Sequence, residues 1–307
     1  MKKRFLSLAL SALIVIPFAA ACNSGDATTT AGSPSIGTTT AGATTDSDFD
    51  TSKTINVVTR ENGSGTRGAF VEIVGVVDSE DNDAIYQEAV VQQGTNAVMS
   101  TVAGDLYGIG YISLGSLNET VKTVKVNGSE PTVENIKAGD YPISRPFNIA
   151  YKDGGLSELG QDFVNFIMSA EGQAIVAENS LIEADDAAPA YASSGATGDI
   201  VVGGSTSVTP AMEALAEAYM ERNVDTNIEI QSTGSTAGIT GVIDGNVEIG
   251  MASRELKDEE AAVLKHQAIG IDGIAIIVHN NHPIDDLSLE QVKTIYLGET
   301  TAWSEVE

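Results

Sequence analysis

Three times in this chain a short apolar run ends in a turn of glycines and hydroxyl residues, then continues as a helix-like stretch. Ile55, Val57 and Val58 lead through Arg60 into Asn62-Gly63-Ser64-Gly65-Thr66, with Ala69, Phe70, Ile73 and Val74 beyond. Ile200-Val201-Val202 leads into Gly203-Gly204-Ser205-Thr206-Ser207-Val208-Thr209-Pro210, followed by Met212, Leu215, Ala216 and Tyr219 at helical spacing. Ile228-Glu229-Ile230 leads into Ser232-Thr233-Gly234-Ser235-Thr236-Ala237-Gly238, then Ile239, Val242 and Ile243. A helix start leaves backbone N–H groups without intrahelical partners, and small residues let an anion approach them. Any one such turn is as well explained by ordinary capping, because Ser, Thr and Gly serve helix starts in proteins that bind nothing. Three in one chain point to binding.

Charge sharpens the question. The chain has 43 acidic against 16 basic residues, a net charge of −27, yet Arg60 and Arg67 flank the first turn. Such acidity excludes a nucleic-acid or anionic-membrane footprint. It does not exclude a local anion site, since exposed charges are screened over about 8 Å at physiological salt.

Residues 1–21 read as a secretory signal: Lys2, Lys3 and Arg4, an apolar segment from Phe5 to Phe18, then Ala19-Ala20-Ala21. Cys22, the chain's one cysteine, follows these small residues as in a lipobox, so it is the expected lipidated N-terminus and no intrachain disulfide can form. Residues 22–53, rich in Thr, Ser, Gly and Ala, read as a tether with too little apolar bulk to order itself. The expected location is extracytoplasmic, lipid-anchored to a bacterial cell membrane, with membrane contact only through the anchor. The remaining chain is longer than one core usually serves and predicts two lobes.

Strand and helix signals alternate beyond the tether. Tyr107–Leu114, Val121–Val126 and Ile274–Val278 read as strands. Helices are expected over Leu156–Ala177, with a restart at Ser169, and over Ser288–Tyr296. This predicts α/β layers with largely parallel sheets, which place ligands at the carboxyl ends of their strands. Catalytic equipment is thin. The histidines are His266, His279 and His282; the last two sit in HNNHP, where Asn-Asn and Pro283 read as a turn rather than a metal site. No P-loop or nucleophile elbow occurs. An enzyme such as a phosphatase is therefore the weaker reading, and no cofactor or metal is expected.

The motifs GGSTSVTP, STGSTAGI, EIGMASREL, DGIAIIV, LSLEQVKTIYLGETTAWSEV, VVTRENGSGTR, YGIGYISLG, PTVENIKAGDYPISRP and FIMSAEGQAIV span nearly everything from Thr54 to Glu307. Together they resemble the substrate-binding proteins of phosphate ABC transporters, the PstS type. That resemblance implies a two-lobed type II periplasmic-binding-protein fold with a central cleft. Such proteins usually run from GGSTS through WSEV into VVTRENGSGTR; here VVTRENGSGTR comes first, as in a circular permutation with the old ends joined through residues 185–199. The implied organisation is lobe B from 54–146 and 271–307, and lobe A from 147–270.

The resemblance also implies roles. Arg60 makes the charge-assisted contact to phosphate. Ser64, Gly65 and Thr66 contribute donors from lobe B, and Thr206, Ser207, Val208 N–H and Ser235 from lobe A. Arg254 stands where some relatives carry a carboxylate that accepts the ligand's proton. An arginine cannot accept a hydrogen bond, so Arg254 is expected to add a second cation, and Glu61 and Asp272 become the candidate acceptors. The implied ligand is inorganic phosphate and the implied partners are ABC permease subunits, with no nucleic acid. Another tetrahedral oxyanion, or a phosphate sensor or surface protein, is the alternative.

Overall fold

The structure is a computed structural model, and it describes residues 49–306. The signal segment, Cys22, most of the tether and Glu307 lie outside the described residues. In chain order the elements are β1 (Asn56–Arg60), α1 (Gly65–Val74), β2 (Val90–Gln92), α2 (Thr95–Ala103), β3 (Gly108–Ser113), β4 (Val121–Val126), α3 (Val133–Ala138) and β5 (Ser144–Tyr151). There follow α4 (Glu158–Ile167), α5 (Ala170–Glu178), β6 (Ile182–Glu183), β7 (Gly198–Gly204), α6 (Thr209–Arg222), β8 (Thr226–Ser232), α7 (Ser235–Asp244) and β9 (Ile249–Ala252). The last are α8 (Asp258–Ala261), β10 (Lys265–His279), β11 (Asp286–Leu287) and α9 (Leu289–Leu297).

Local chemistry sets these boundaries. The side chains of Ser64, Ser157, Ser169 and Ser288 each accept a backbone N–H in the first turn of their helices, which satisfies an otherwise orphaned donor. The helical stripe beginning at Leu156 breaks at Ser169, as its sequence predicts. Pro210 sits in the first turn of α6, where its missing N–H costs nothing.

Two cores define two lobes. One gathers buried residues from Ile55 to Ile143 and from Ile274 to Trp303, while the other runs from Phe147 to Ile269. Smaller clusters, around Val98 and Ile277 in the first lobe and Ile239 and Ala252 in the second, cover the opposite sheet faces. Each lobe is thus a sheet sandwiched between helices.

A continuous path of strands, β2-β1-β3-β10-β5-β9-β7-β8, links the lobes. The pairings β1 with β2 and β3, and β7 with β8 and β9, are parallel. The helix starts that follow β1, β7 and β8 therefore lie at strand carboxyl ends. β10 makes the crossing: Ile274–Val278 pair with β3, whereas Lys265–Gly273 pair with β5. β5 in turn reaches β9 through Asn148–Ala150.

Both described ends lie in the same lobe. Thr54 bridges Ala302, Ile55 N–H donates to Thr301 O at 2.8 Å, and Phe49 packs against Tyr107, His282 and Trp303. His282 of the HNNHP turn belongs to this packing. It is buried, its Nδ1 accepts Ile284 N–H, and burial pushes its pKa down to about 4, so it stays neutral.

The join between β6 and β7, read above as linker, is fastened to lobe A. Asp162, 2% exposed, accepts Tyr191 Oη at 2.5 Å, Ser194 N–H at 3.1 Å and Tyr219 Oη at 2.8 Å. Tyr191 stacks edge-on against Phe166. The segment's Ala, Ser and Gly content hid this because two of its anchoring partners, Asp162 and Asn223, lie about thirty residues away on either side.

Candidate functional site

Four helix starts meet between the lobes. From the first lobe come Gly65 and Thr66 of α1 and Thr95 of α2; from the second come Thr206 and Ser207, just ahead of α6, and Ser235 of α7. Thr66 Oγ1 lies 2.9 Å from Ser207 Oγ, and Thr95 Oγ1 lies 3.2 Å from Ser207 Oγ and 3.3 Å from Thr206 Oγ1. Thr236 N–H donates to Gly63 O across the cleft at 3.1 Å. The approach is so close at Gly65 that a Cβ there would stand 2.3 Å from Ser235 Oγ and 2.8 Å from Ser253 Oγ. Only glycine fits.

Acidic residues are placed with care around these helices. α3, α4, α5, α8 and α9 each carry an acid in the first turn, the usual complement to the helix dipole. α1, α2, α6 and α7 carry none. In so acidic a chain, the four helices with no acid of their own in the first turn are the four that converge. That arrangement suits a negative guest.

Arg60, at the carboxyl end of β1, is 2% exposed and reaches across the cleft to Thr206 Oγ1 at 2.9 Å. It donates from Nε and Nη2 to the two Glu61 oxygens at 2.8 Å each, and its Nη1 lies 3.4 Å from both Thr66 Oγ1 and Thr95 Oγ1. Burial alone would raise the Glu61 carboxyl, but the Arg60 guanidinium and Gly94 N–H outweigh it and hold the group below its ordinary value. Behind Arg60, Tyr111 Oη contacts Thr59 Oγ1 at 2.8 Å and accepts Arg60 N–H at 3.3 Å.

The other expected residues fall into place unevenly. Ser64 Oγ caps α1 through Arg67 N–H, and Val208 N–H closes a turn onto Ser205 O. Ser235 Oγ accepts Ser253 N–H at 3.2 Å, and Ser253 Oγ meets Ser205 Oγ at 2.8 Å. Arg67 is drawn away, donating to Asp83 and to Arg60 O.

Arg254, expected as a second cation, is bound elsewhere. Its two Nη atoms donate to the two oxygens of Glu260 at 2.7 and 2.8 Å, and Nη1 also to Glu255 O. Asp272, a candidate acceptor, is fully buried opposite Arg145 across the crossing strands. Its Oδ2 accepts Arg145 Nε and Nη2 at 3.2 and 3.0 Å, and its Oδ1 accepts Ser113 Oγ and Gly115 N–H. Burial raises the Asp272 carboxyl, with Arg145 opposing, and lowers Arg145, whose environment also includes the Arg60 charge.

Three buried arginines, Arg60, Arg145 and Arg254, are therefore each matched by a carboxylate. What the cleft presents beyond these pairs is helix ends, hydroxyls and the Nη groups of Arg60 beside Thr66, Thr95 and Thr206. Sequence reading missed Thr95 and Arg145. The signal for Thr95 was Gln93-Gly94-Thr95 after Val90-Val91, a fourth strand–glycine–helix unit, with Gly94 at φ 81°.

Two sheet-and-helix lobes, joined by crossing strands and closing on shared donors, define a two-lobed periplasmic-binding-protein fold. A family model described as the PBP superfamily domain matches residues 31–171 and 189–307. The phosphate-binding protein PstS 2 of Streptococcus agalactiae serotype V is 46% identical over 271 residues, covering 87% of this chain and 92% of that protein. The protein of the same name from Streptococcus pneumoniae serotype 4 is 44% identical over 259 residues, covering 83% and 89%. A crystal structure of a phosphate-binding protein of a phosphate ABC transporter from S. pneumoniae TIGR4 superposes with a TM-score of 0.67 at 44% identity, covering 83% of this chain and all of that one. The chain belongs to the PBP superfamily and, within it, to the PstS-type phosphate-binding proteins.

Proposed function

We propose that this protein binds inorganic phosphate outside the cytoplasm and delivers it to the permease of an ABC transporter. The observation that carries the reading is the meeting of four acid-free helix starts and Arg60 between two lobes joined by crossing strands. Such a site stabilises an oxyanion by charge-assisted and backbone hydrogen bonds, and two-lobed closure excludes competing water. Arg60, Ser64, Gly65, Thr66, Thr95, Thr206, Ser207, Val208 and Ser235 form the proposed anion cradle. Arg254 is assigned to holding Glu260 rather than the ligand, and Cys22 to a lipid anchor. Nothing in the cradle offers an activated nucleophile, which favours binding over catalysis.

Calorimetric titration of the soluble domain with phosphate tests the reading. Wild type should bind one phosphate. Ser235→Ala should bind about 5- to 10-fold more weakly, the cost of one hydrogen bond of roughly 1 kcal/mol. Absence of phosphate binding by the folded wild type would defeat the proposal.

We also propose that the order of units is a circular permutation of the usual family order. Support comes from the Thr54–Ala302 bridge, which brings the described ends together. The streptococcal matches, 271 and 259 residues long, are extensive enough to take in both lobes. Opening the chain within residues 185–197 and joining Thr54 to Val306 through a short linker should give a folded protein with wild-type phosphate affinity. A product that stays unfolded would argue against interchangeable ends.

A further inference from the structure

A groove of about 630 Å³ runs between the lobes just outside the cradle. Its walls mix polar residues, Asn96 and Asn118 on one side and Thr209 and Ser232 on the other, with the apolar Met99, Leu117 and Pro210, and Glu213 is the one charged lining residue. Ser116 Oγ, buried without a hydrogen-bond partner, belongs to a residue of this wall. Thr95 and Thr206 line the groove as well, and the same two hydroxyls contact Arg60 in the cradle. The partition between cradle and groove is thus one threonine from each lobe, with hydroxyls 3.3 Å apart.

We propose that Thr95 and Thr206 restrict the site to the unsubstituted anion, and that the groove beyond them has room for the substituent of a small polar phosphate monoester. This rests on the phosphate reading of the cleft. A tetrahedral anion accepting from Arg60 Nη1 and Nη2 would set an oxygen beside Thr95 and Thr206, which those nitrogens contact, and an ester group on that oxygen would strike the threonine pair. Trimming the pair connects the cradle to a space within the range of small-ligand sites. Walls that mix amides and hydroxyls with a few apolar side chains suit a small uncharged substituent such as that of glycerol phosphate.

The test is titration of wild type, Thr95→Ala/Thr206→Ala and the milder Thr95→Ser/Thr206→Ser with inorganic phosphate, methyl phosphate and glycerol phosphate, each protein first checked for cooperative unfolding. Wild type should take phosphate and refuse both esters. The alanine pair should raise the affinity of glycerol phosphate relative to phosphate by about tenfold or more, the scale on which a few atoms in a pocket discriminate. The serine pair, which keeps both hydroxyls, should move the ratio the same way by less. Adding Asn96→Phe to fill the groove should abolish the gain for glycerol phosphate while sparing phosphate. An unchanged ratio in both pairs, wild-type binding of glycerol phosphate as tight as phosphate, or a gain that survives Asn96→Phe would each overturn the inference. Wild type that binds phosphate but fails these tests leaves the phosphate reading standing; wild type that binds no phosphate removes both.

Discussion

Arg60→Ala should weaken phosphate binding by about a hundredfold or more, at about 1.4 kcal/mol per decade. Two effects add. The cradle loses its charged donor, which spans the cleft to Thr206 Oγ1 and lies beside the Thr66 and Thr95 hydroxyls. Glu61 then keeps only backbone N–H groups, its own and that of Gly94, among the donors that held it ionised, so a half-buried carboxylate faces the incoming anion. Truncating one member of a buried charge pair commonly costs 2–5 kcal/mol, much of it from the partner left behind. Arg60→Ala/Glu61→Gln should therefore recover part of the loss. Calorimetry on both variants decides the matter: full affinity in Arg60→Ala would remove Arg60 from the site.

Asp272→Ala should instead act on the fold, lowering stability by about 3–5 kcal/mol. Arg145 and Asp272 are almost wholly inaccessible, and Arg145 Nη1 already has no hydrogen-bond partner. Removal of the carboxylate leaves a guanidinium without a counter-charge between the two lobe cores. It also strips Ser113 Oγ and Gly115 N–H of their acceptor. For a domain of this size the loss corresponds to roughly 6–20 °C in Tm. Arg145→Met/Asp272→Leu, which replaces the pair by apolar bulk, should restore most of it. Chemical and thermal unfolding provide the readout, and a single variant within 1 kcal/mol of wild type would show that the pair is dispensable.

The contrast between Arg60 and Arg145 explains what was legible in the sequence. Arg60 follows a buried apolar run and precedes a glycine-hydroxyl turn, so its neighbours along the chain announce it. Arg145 is defined by Asp272, 127 positions away, and only strand pairing brings the two together. Thr95 escaped for a different reason. β2 has three residues, and Val90 and Val91 are 43% and 54% exposed, so the strand lacks the buried signature that marks β1 and β7. Arg254 was placed by motif, but its partner Glu260 occupies the first turn of a four-residue helix too short to read from periodicity.

The joining of both described ends in one lobe has a mechanical consequence. Phe49, Thr54 and Trp303 are fastened to the same body, and the other body hangs from it through β5 and β10. Tension applied to the chain ahead of Phe49 enters the first lobe and need not pass through the crossing strands. A pull on Phe49 is thus borne within the first lobe, and the strands that carry the second lobe take none of it.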